Sequence, residues 1–310
     1  MPRGWYIHAG DSKKMFYYRW KPEEEDRIIG SVQIIHGMAE HAARYDYLGS
    51  RLAEAGFAVY AQDLRGHGKT MEDEGEIGFF AEQDGWNRVT EDINEIGQKI
   101  AEEQPDVPLF LLGHSMGSFL ARTIMIDNPE RYSGVILSGT AGNPGFMGKV
   151  GKVIAIRNIR KYGVCHKDRL LDRLSFGSYN RSFRPNRSAY DWLSSDEDQV
   201  DAYIDDPLCG FVCTSAFFRD LLDGLIRIHN RKLLASMPKE LPVLLVSGER
   251  DPVGKMGRGP REVYRTLRSL GMQDVTLRLF PHMRHEILNE IDRDLAIEVV
   301  ISWLRTHIVR

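Results

Sequence analysis

The sequence predicts an α/β protein, a mostly parallel sheet with helices on both faces and one helical insertion. Three observations lead there. Six short runs, SVQIIHG, FAVYAQD, PLFLLGH, SGVILSG, PVLLVSG and VTLRLFP, are apolar almost throughout and end in polar or glycine residues. That is the pattern of parallel strands covered on both sides. Segments of helical periodicity separate most of them. Finally, about a hundred residues lie between SGVILSGT and ELPVLLVSG, far more than one crossover helix needs.

Taken in chain order, residues 4–20 alternate around DSKK, which predicts an antiparallel hairpin. RYDYLGSRLAEAG predicts a helix stopped by Gly56, and WNRVTEDINEIGQKIAEEQ carries apolar residues at helical spacing. EILNEIDRDLAIEVVISWLRTHI predicts a long amphipathic terminal helix. The long interval contains GFMGKVGKVIAIRNIRKYG, SFGSYNRSFRPNRSAYDWLSSDEDQ and LCGFVCTSAFFRDLLDGLIRIHN, rich in aromatic and basic residues and without a strand-like run. We therefore expect residues 143–215 to form a helical cap on a core made of residues 1–142 and 216–310.

With 310 residues, 42% hydrophobic and 27% charged, the chain has ordinary globular proportions and can bury a large core. A net charge of −3 and a pI near 6.4 give no overall attraction to nucleic acid, so no nucleic-acid partner is expected. Three cysteines, Cys165, Cys209 and Cys213, are too few for a disulfide framework and suit a reducing compartment. Cys209 and Cys213 stand four apart with no histidine close in sequence, a poor zinc set. The first residues lack the charge and apolar run of a secretory leader, and no apolar stretch approaches the roughly 18 residues that span a bilayer. A soluble cytoplasmic protein is expected.

Two motifs fail on inspection. DLRGHGKT ends like a phosphate-binding loop, but Asp63 stands where its first glycine belongs. HGMAEH is one residue too long for an inverted zinc motif and contains a helix-disfavouring glycine. No metal and no cofactor are expected.

The chemistry lies in LFLLGHSMGSFLARTIM, residues 109–125, a strand running into a helix through Ser115. Such a corner strains the backbone, and small residues two before and two after, Gly113 and Gly117, let strand and helix approach. The hydroxyl then stands above the carboxyl edge of the sheet, facing the positive end of the next helix. A serine hydroxyl needs a base, and the base needs an orienting acid, in the chain order serine, acid, histidine. PVLLVSGERDPVG supplies Asp251, with Glu249 as competitor nearer the strand end. VTLRLFPHMRHEILNE supplies His282 and His285, and we prefer His285, directly before the expected terminal helix. An oxyanion would be met by the amides of Met116 and Met38, the latter in HGMAEH, where Gly37 allows close backbone approach.

Together IIHGMAEHAARYDYLGSRLAEAGFAVYAQDLRGHGKT, LLGHSMGS, LLVSGERDPVG and the histidine of RHEILNE resemble the α/β-hydrolase superfamily. Within it they are similar to the serine hydrolases grouped with monoacylglycerol lipases, lysophospholipases and the serine aminopeptidase-type family. The resemblance implies an eight-stranded α/β-hydrolase fold, Ser115 as nucleophile, Asp251 and His285 as its partners, and Met38 and Met116 as oxyanion donors. It also implies a structural role for DLRGHG, around Asp63, Arg65 and His67, whereas Ser118 departs from a glycine common in the lipases. The expected reaction is cofactor-free cleavage of carboxylic esters with an apolar acyl chain, as in monoacylglycerols or lysophospholipids.

Other readings are a short-chain carboxylesterase, an aminopeptidase or amidase using Asp196, Glu197 or Asp198 to hold an ammonium, and a hydrolase-like binding protein. Phe146, Met147, Phe176, Tyr179, Trp192, Phe211, Phe217 and Phe218 are candidates to line an acyl tunnel. The basic run RNIRKYGVCHKDR reads as a solvated face before a head-group site, and GFMGKVGKVIAI is the candidate for transient membrane contact.

Overall fold

The computed structural model describes residues 3–24 and 27–308. Eight strands form one sheet: β1 (Arg3–His8), β2 (Lys14–Trp20), β3 (Gly30–Ile35), β4 (Phe57–Gln62), β5 (Leu109–His114), β6 (Gly134–Ser138), β7 (Val243–Gly248) and β8 (Val275–Phe280). Their spatial order is β1-β2-β4-β3-β5-β6-β7-β8. The N-terminal hairpin and its junction with β4 are antiparallel, and all other pairs are parallel. All six apolar runs are strands. β3 to β7 are buried at every position because helices cover both faces.

The strand period of two divides the core. Leu111, Val135, Leu137, Val243 and Leu245 point to one face, with apolar residues of α2 (Gly85–Glu103), α3 (Met116–Asp127) and α9 (Arg258–Ser269). Phe110, Leu112, Ile136, Leu244 and Val246 point to the other, against α1 (Asp46–Glu54) and α10 (Arg293–Thr306). Strand order reverses between β3 and β5, which opens a crevice beyond their carboxyl ends.

Between β6 and β7 come α4 (Gly145–Tyr162), α5 (Arg169–Phe176), a 3-10 turn at Tyr179–Phe183, α6 (Glu197–Asp205), α7 (Ser215–Arg227) and α8 (Arg231–Leu234). The sequence reading had no strand there, and the structure has one isolated antiparallel bridge, Lys167 with Thr214. None of the described helices is long and apolar enough to cross a membrane.

The terminal helix is shorter than its periodicity predicts. Ile287–Asn289 form a 3-10 turn and α10 starts only at Arg293, so His285 precedes a loop and not a helix. The cause is tertiary. Glu286 is drawn to Arg44, and Glu290 accepts from the Ser195 and Arg284 amides at 3.1 and 2.7 Å, fixing this stretch as a loop.

Backbones pack closely where α3 crosses β3 and β5. A Cβ on Gly113 would lie 2.2 Å from the Gly117 carbonyl oxygen, and one on Gly117 would lie 2.1 Å from that of Ile35. Neither backbone can yield without separating helix from sheet. Gly117→Ala is expected to lose about 3 kcal/mol or more by overpacking, read as a lower urea midpoint; a midpoint within error of wild type would refute this packing.

Candidate active site

The loops after β3, β5, β7 and β8 meet at the crevice. Ser115 sits between β5 and α3 at φ 51° and ψ −117°, a strained conformation for a non-glycine residue. Its N–H donates to the Ser138 carbonyl at 2.9 Å. Its own carbonyl accepts the Ser118 N–H at 2.9 Å and the Ser118 hydroxyl at 2.6 Å. Ser118 therefore has a local task, as a second strap on the corner.

Asp251 and His285 are both buried, and the His285 Nδ1–H donates to Asp251 Oδ1 at 3.0 Å. The carboxylate is aimed by the Val253 N–H at 2.8 Å and the Ser247 hydroxyl at 3.2 Å. Of the two competitors, Glu249 lies partly exposed 3.5 Å from Arg261, and His282 is exposed. The His285 ring lies between Trp192 and His114, at centroid distances of 5.3 and 4.8 Å. Gly139, at φ 60°, leaves room beside it, since a Cβ there would lie 3.0 Å from His285 Cε1. Burial pushes the His285 pKa down, but the Asp251 carboxylate outweighs it and leaves the ring above its ordinary value of 6.5. His114, equally buried, is pushed down to about 4 by burial, with His285 adding to the effect.

A cavity of about 280 Å³ reaches from Ser115, His285 and Met38 to Asp172, Arg173, Phe176, Trp192, Leu193, Tyr203 and Phe211. Of the aromatic candidates, Phe176, Trp192 and Phe211 line it. Tyr179 stands behind the wall, packed edge-on against Trp192 and Phe176. Phe146 and Met147 are exposed near the start of α4, away from the cavity, and Phe217 and Phe218 are buried in the core beneath it. Of the proposed ammonium holders, Asp196 caps α6 and Glu197 reaches toward Arg187, and with Asp198 all lie outside the cavity. The cavity's own acid on this side is Asp172, its pKa raised by burial.

Met38 lines the cavity and Met116 directly follows Ser115, and neither amide donates to another described group. Gly37 lines the cavity, where a Cβ would lie 3.3 Å from Ser115 Cβ, and it meets a second constraint from its own loop. A Cβ there would lie 2.7 Å from Glu40 Oε1, which accepts the Gly37 N–H at 2.5 Å. Glu40 also accepts from the Tyr45 hydroxyl at 2.9 Å and from Arg44 at 2.6 Å. Arg44 in turn forks onto Glu286, at 2.8 and 2.7 Å, and its guanidinium stands 4.9 Å from the centroid of Tyr203. Sequence reasoning missed Glu40, Arg44, Glu286 and Tyr203: Arg44 meets Glu286 and Tyr203 only across distant sequence, and Glu40, though its partners are local, gives no sign of its burial. The DLRGHG loop is structural as expected: Asp63 accepts the Ala42 and Lys69 amides, each at 2.8 Å, and Arg65 pairs with Asp92 and Asp11.

Residues 26–292 match the family described as serine aminopeptidase, S33. A monoacylglycerol lipase of Mycolicibacterium smegmatis is 28% identical over 95% of this chain and 94% of its own. A monoglyceride lipase of Mus musculus is 28% identical over 98% and 90%. A thermostable carboxyl esterase from Bacillus coagulans, solved with glycerol, superposes with a TM-score of 0.89 at 30% identity, covering 99% of each chain.

Because the Asp251 carboxylate is what raises the pKa of the buried ring, Asp251→Asn should drop the His285 pKa below 6.5, as His114 already stands. An NMR titration of the imidazole reads this directly, and an unchanged or higher value would contradict it.

Proposed function

The chain belongs to the serine aminopeptidase S33 family of α/β-hydrolase fold, and we propose that it cleaves carboxylic esters with an apolar acyl chain through Ser115, His285 and Asp251. That it is an ester hydrolase of the lipase and esterase type follows from its family, relatives and fold. The observation that carries the finer reading is the buried Asp251–His285 hydrogen bond of 3.0 Å in the same cavity as the strained Ser115. His285 Nε2 takes the Ser115 proton as the oxygen attacks the ester carbonyl. The amides of Met38 and Met116 hold the resulting oxyanion. His285 then protonates the leaving alcohol, and water activated by the same ring releases the acid from the acyl-enzyme.

Residues 143–215 act as the cap in this reading. Phe176, Trp192, Leu193 and Phe211 give the cavity an apolar wall, which favours a monoacylglycerol- or lysophospholipid-type acyl chain over a small polar ester. Asp172 is the observation that favours the amidase alternative, as a carboxylate placed to meet a substrate ammonium. The free thiols of Cys165, Cys209 and Cys213 suit a cytoplasmic setting.

Acid release from esters of increasing acyl length tests the assignment. Ser115→Ala should lower turnover by several orders of magnitude, about 10⁶-fold for loss of the nucleophile in a comparable triad, and kcat/KM should fall as pH drops through the raised His285 pKa. Substantial turnover by the variant, or amides cleaved as fast as esters, would reject the ester-specific triad.

Membrane contact through α4 is part of the same proposal. Its exposed Phe146, Met147 and Val153 share the helix with Lys149, Arg157, Arg160 and Lys161, and it has no acidic residue. Vesicles carrying anionic lipid should cosediment the protein more than zwitterionic ones, and Phe146→Ser with Met147→Ser should weaken this at least several-fold. Binding equal for variant and wild type would place the contact elsewhere.

A further inference from the structure

His41 comes from the motif that fails as a zinc signature, and Cys209 from the pair of thiols with no histidine close in sequence. The fold brings them together. His41 Nε2 lies 2.8 Å from Asp206 Oδ2, across 165 residues of sequence. The nearest ligand-capable atoms of His41, Asp206 and Cys209 all lie within 4.8 Å of one another. We propose that these three side chains form a binding site for a thiophilic divalent cation, which joins the loop carrying Met38 to the end of α6.

The donor set is one imidazole nitrogen, one carboxylate oxygen and one thiol sulfur, the mixture that suits zinc in tetrahedral geometry with a fourth position for water. Tetrahedral bonds to nitrogen, oxygen and sulfur hold the donors about 3.3–3.8 Å apart. The set must therefore tighten around Cys209 and open slightly between His41 and Asp206. The backbone already aims the ligands. The Leu208 N–H engages Asp206 Oδ1 at 2.8 Å, leaving Oδ2 toward His41, and the Cys209 N–H donates to the Asp206 carbonyl at 3.0 Å, holding the two residues in one tight turn. His41 is buried and Cys209 half-buried against the aromatic cluster of Phe183, Trp192 and Tyr203.

Charge favours a cation here. Glu40 and Glu286 share the one guanidinium of Arg44, so together with Asp206 the neighbourhood holds three carboxylates against one fixed positive charge. Coordination forms a metal–sulfur bond and breaks the S–H bond, and the proton leaves to solvent. No change in oxidation state is involved.

The position gives the site a consequence. The Ala39 carbonyl, two residues before His41 and next to Met38, accepts both the Gly210 N–H and the Tyr203 hydroxyl at 2.9 Å. A cation bridging His41 to Asp206 and Cys209 would lock that seam at the cavity wall, and a bound cation should slow turnover. This last consequence rests on the hydrolase reading above, while binding itself does not.

The test is titration of the reduced, chelator-treated full chain with Co²⁺, followed by displacement with Zn²⁺. The expected result is saturation at one equivalent, with a thiolate-to-cobalt charge-transfer band that persists in Cys165→Ser and in Ser115→Ala and disappears in Cys209→Ser. Asp206→Asn, its fold checked by circular dichroism, should bind at least tenfold more weakly. Zn²⁺ should lower ester turnover reversibly in wild type and not in Cys209→Ser. Absence of saturable binding, or a band that survives Cys209→Ser, would overturn the site. A Zn²⁺ complex that turns over at the unliganded rate would overturn its coupling to the loop. Since Ser115→Ala keeps the band, failure of the triad assignment and failure of the metal site read out separately.

Discussion

Everything at this site depends on one close approach, that of the first turn of α3 to the carboxyl ends of β3 and β5. Gly113 and Gly117 permit it by having no Cβ to meet the Gly117 and Ile35 carbonyls. Only at that separation does the chain turn from strand to helix in one residue, and that residue is Ser115. Its conformation costs of order 1–3 kcal/mol, which the surroundings must offset. They do so through hydrogen bonds to both its amide and its carbonyl, and through α3 itself, buried from Met116 to Met125. The strain at Ser115 is thus held by core packing, and a change that loosens α3 would be felt at this corner before it was felt in the rest of the fold.

A second constraint sets the loops around that corner. Arg44 is buried between Glu40, in the loop after β3, and Glu286, beside His285 and 242 residues away. Burial alone would raise the Glu286 pKa, but the Arg44 charge and hydrogen bonds outweigh it and bring it down to about 2. Removing one member of such a group leaves a buried charge uncompensated, at a cost of roughly 3–5 kcal/mol. The trio is therefore better understood as fixing geometry than as adding stability, since apolar residues of equal volume would serve stability as well. What it fixes is the spacing between the Met38 amide and His285. Tyr203 extends the linkage to α6, packing on Arg44 and donating to Ala39.

These two constraints differ in how far the sequence reveals them. The corner is local: Gly113, Ser115 and Gly117 stand together, and a fully apolar strand before them and a helix after them state the geometry in one stretch. The six sheet runs are legible for the same reason, since burial on both faces removes polar residues from the strand itself. Asp251 and His285 are legible by their order after the last two strands. Arg44 is not, because an arginine one turn after a glutamate looks like any solvated helix pair until the fold brings Glu286 against it. The start of α10 failed likewise, as Glu286 and Glu290 fit a helical pattern but are taken by tertiary partners. The aromatic residues were misassigned in both directions. Composition marks Phe146 and Phe217 as apolar without saying that one faces solvent and the other the core, while only the placement of Phe176, Trp192 and Phe211 sets them on the cavity.

Two histidines separate what burial does from what Asp251 does. His114 and His285 are neighbours, with ring centroids 4.8 Å apart, and both are buried. His114 meets a serine hydroxyl, Ser138 at 3.2 Å, and burial takes it down to about 4, so it stays neutral at pH 7. His285 meets a carboxylate in the same dry surroundings, and its shift has the opposite sign. Of these two buried rings, only His285 has a carboxylate partner to offset what burial does. Trp192, on the inserted segment, covers that ring and lines the cavity as well. With this one side chain the insertion both covers the His285 ring and shapes the cavity, so the burial of the ring and the form of the cavity are coupled through Trp192.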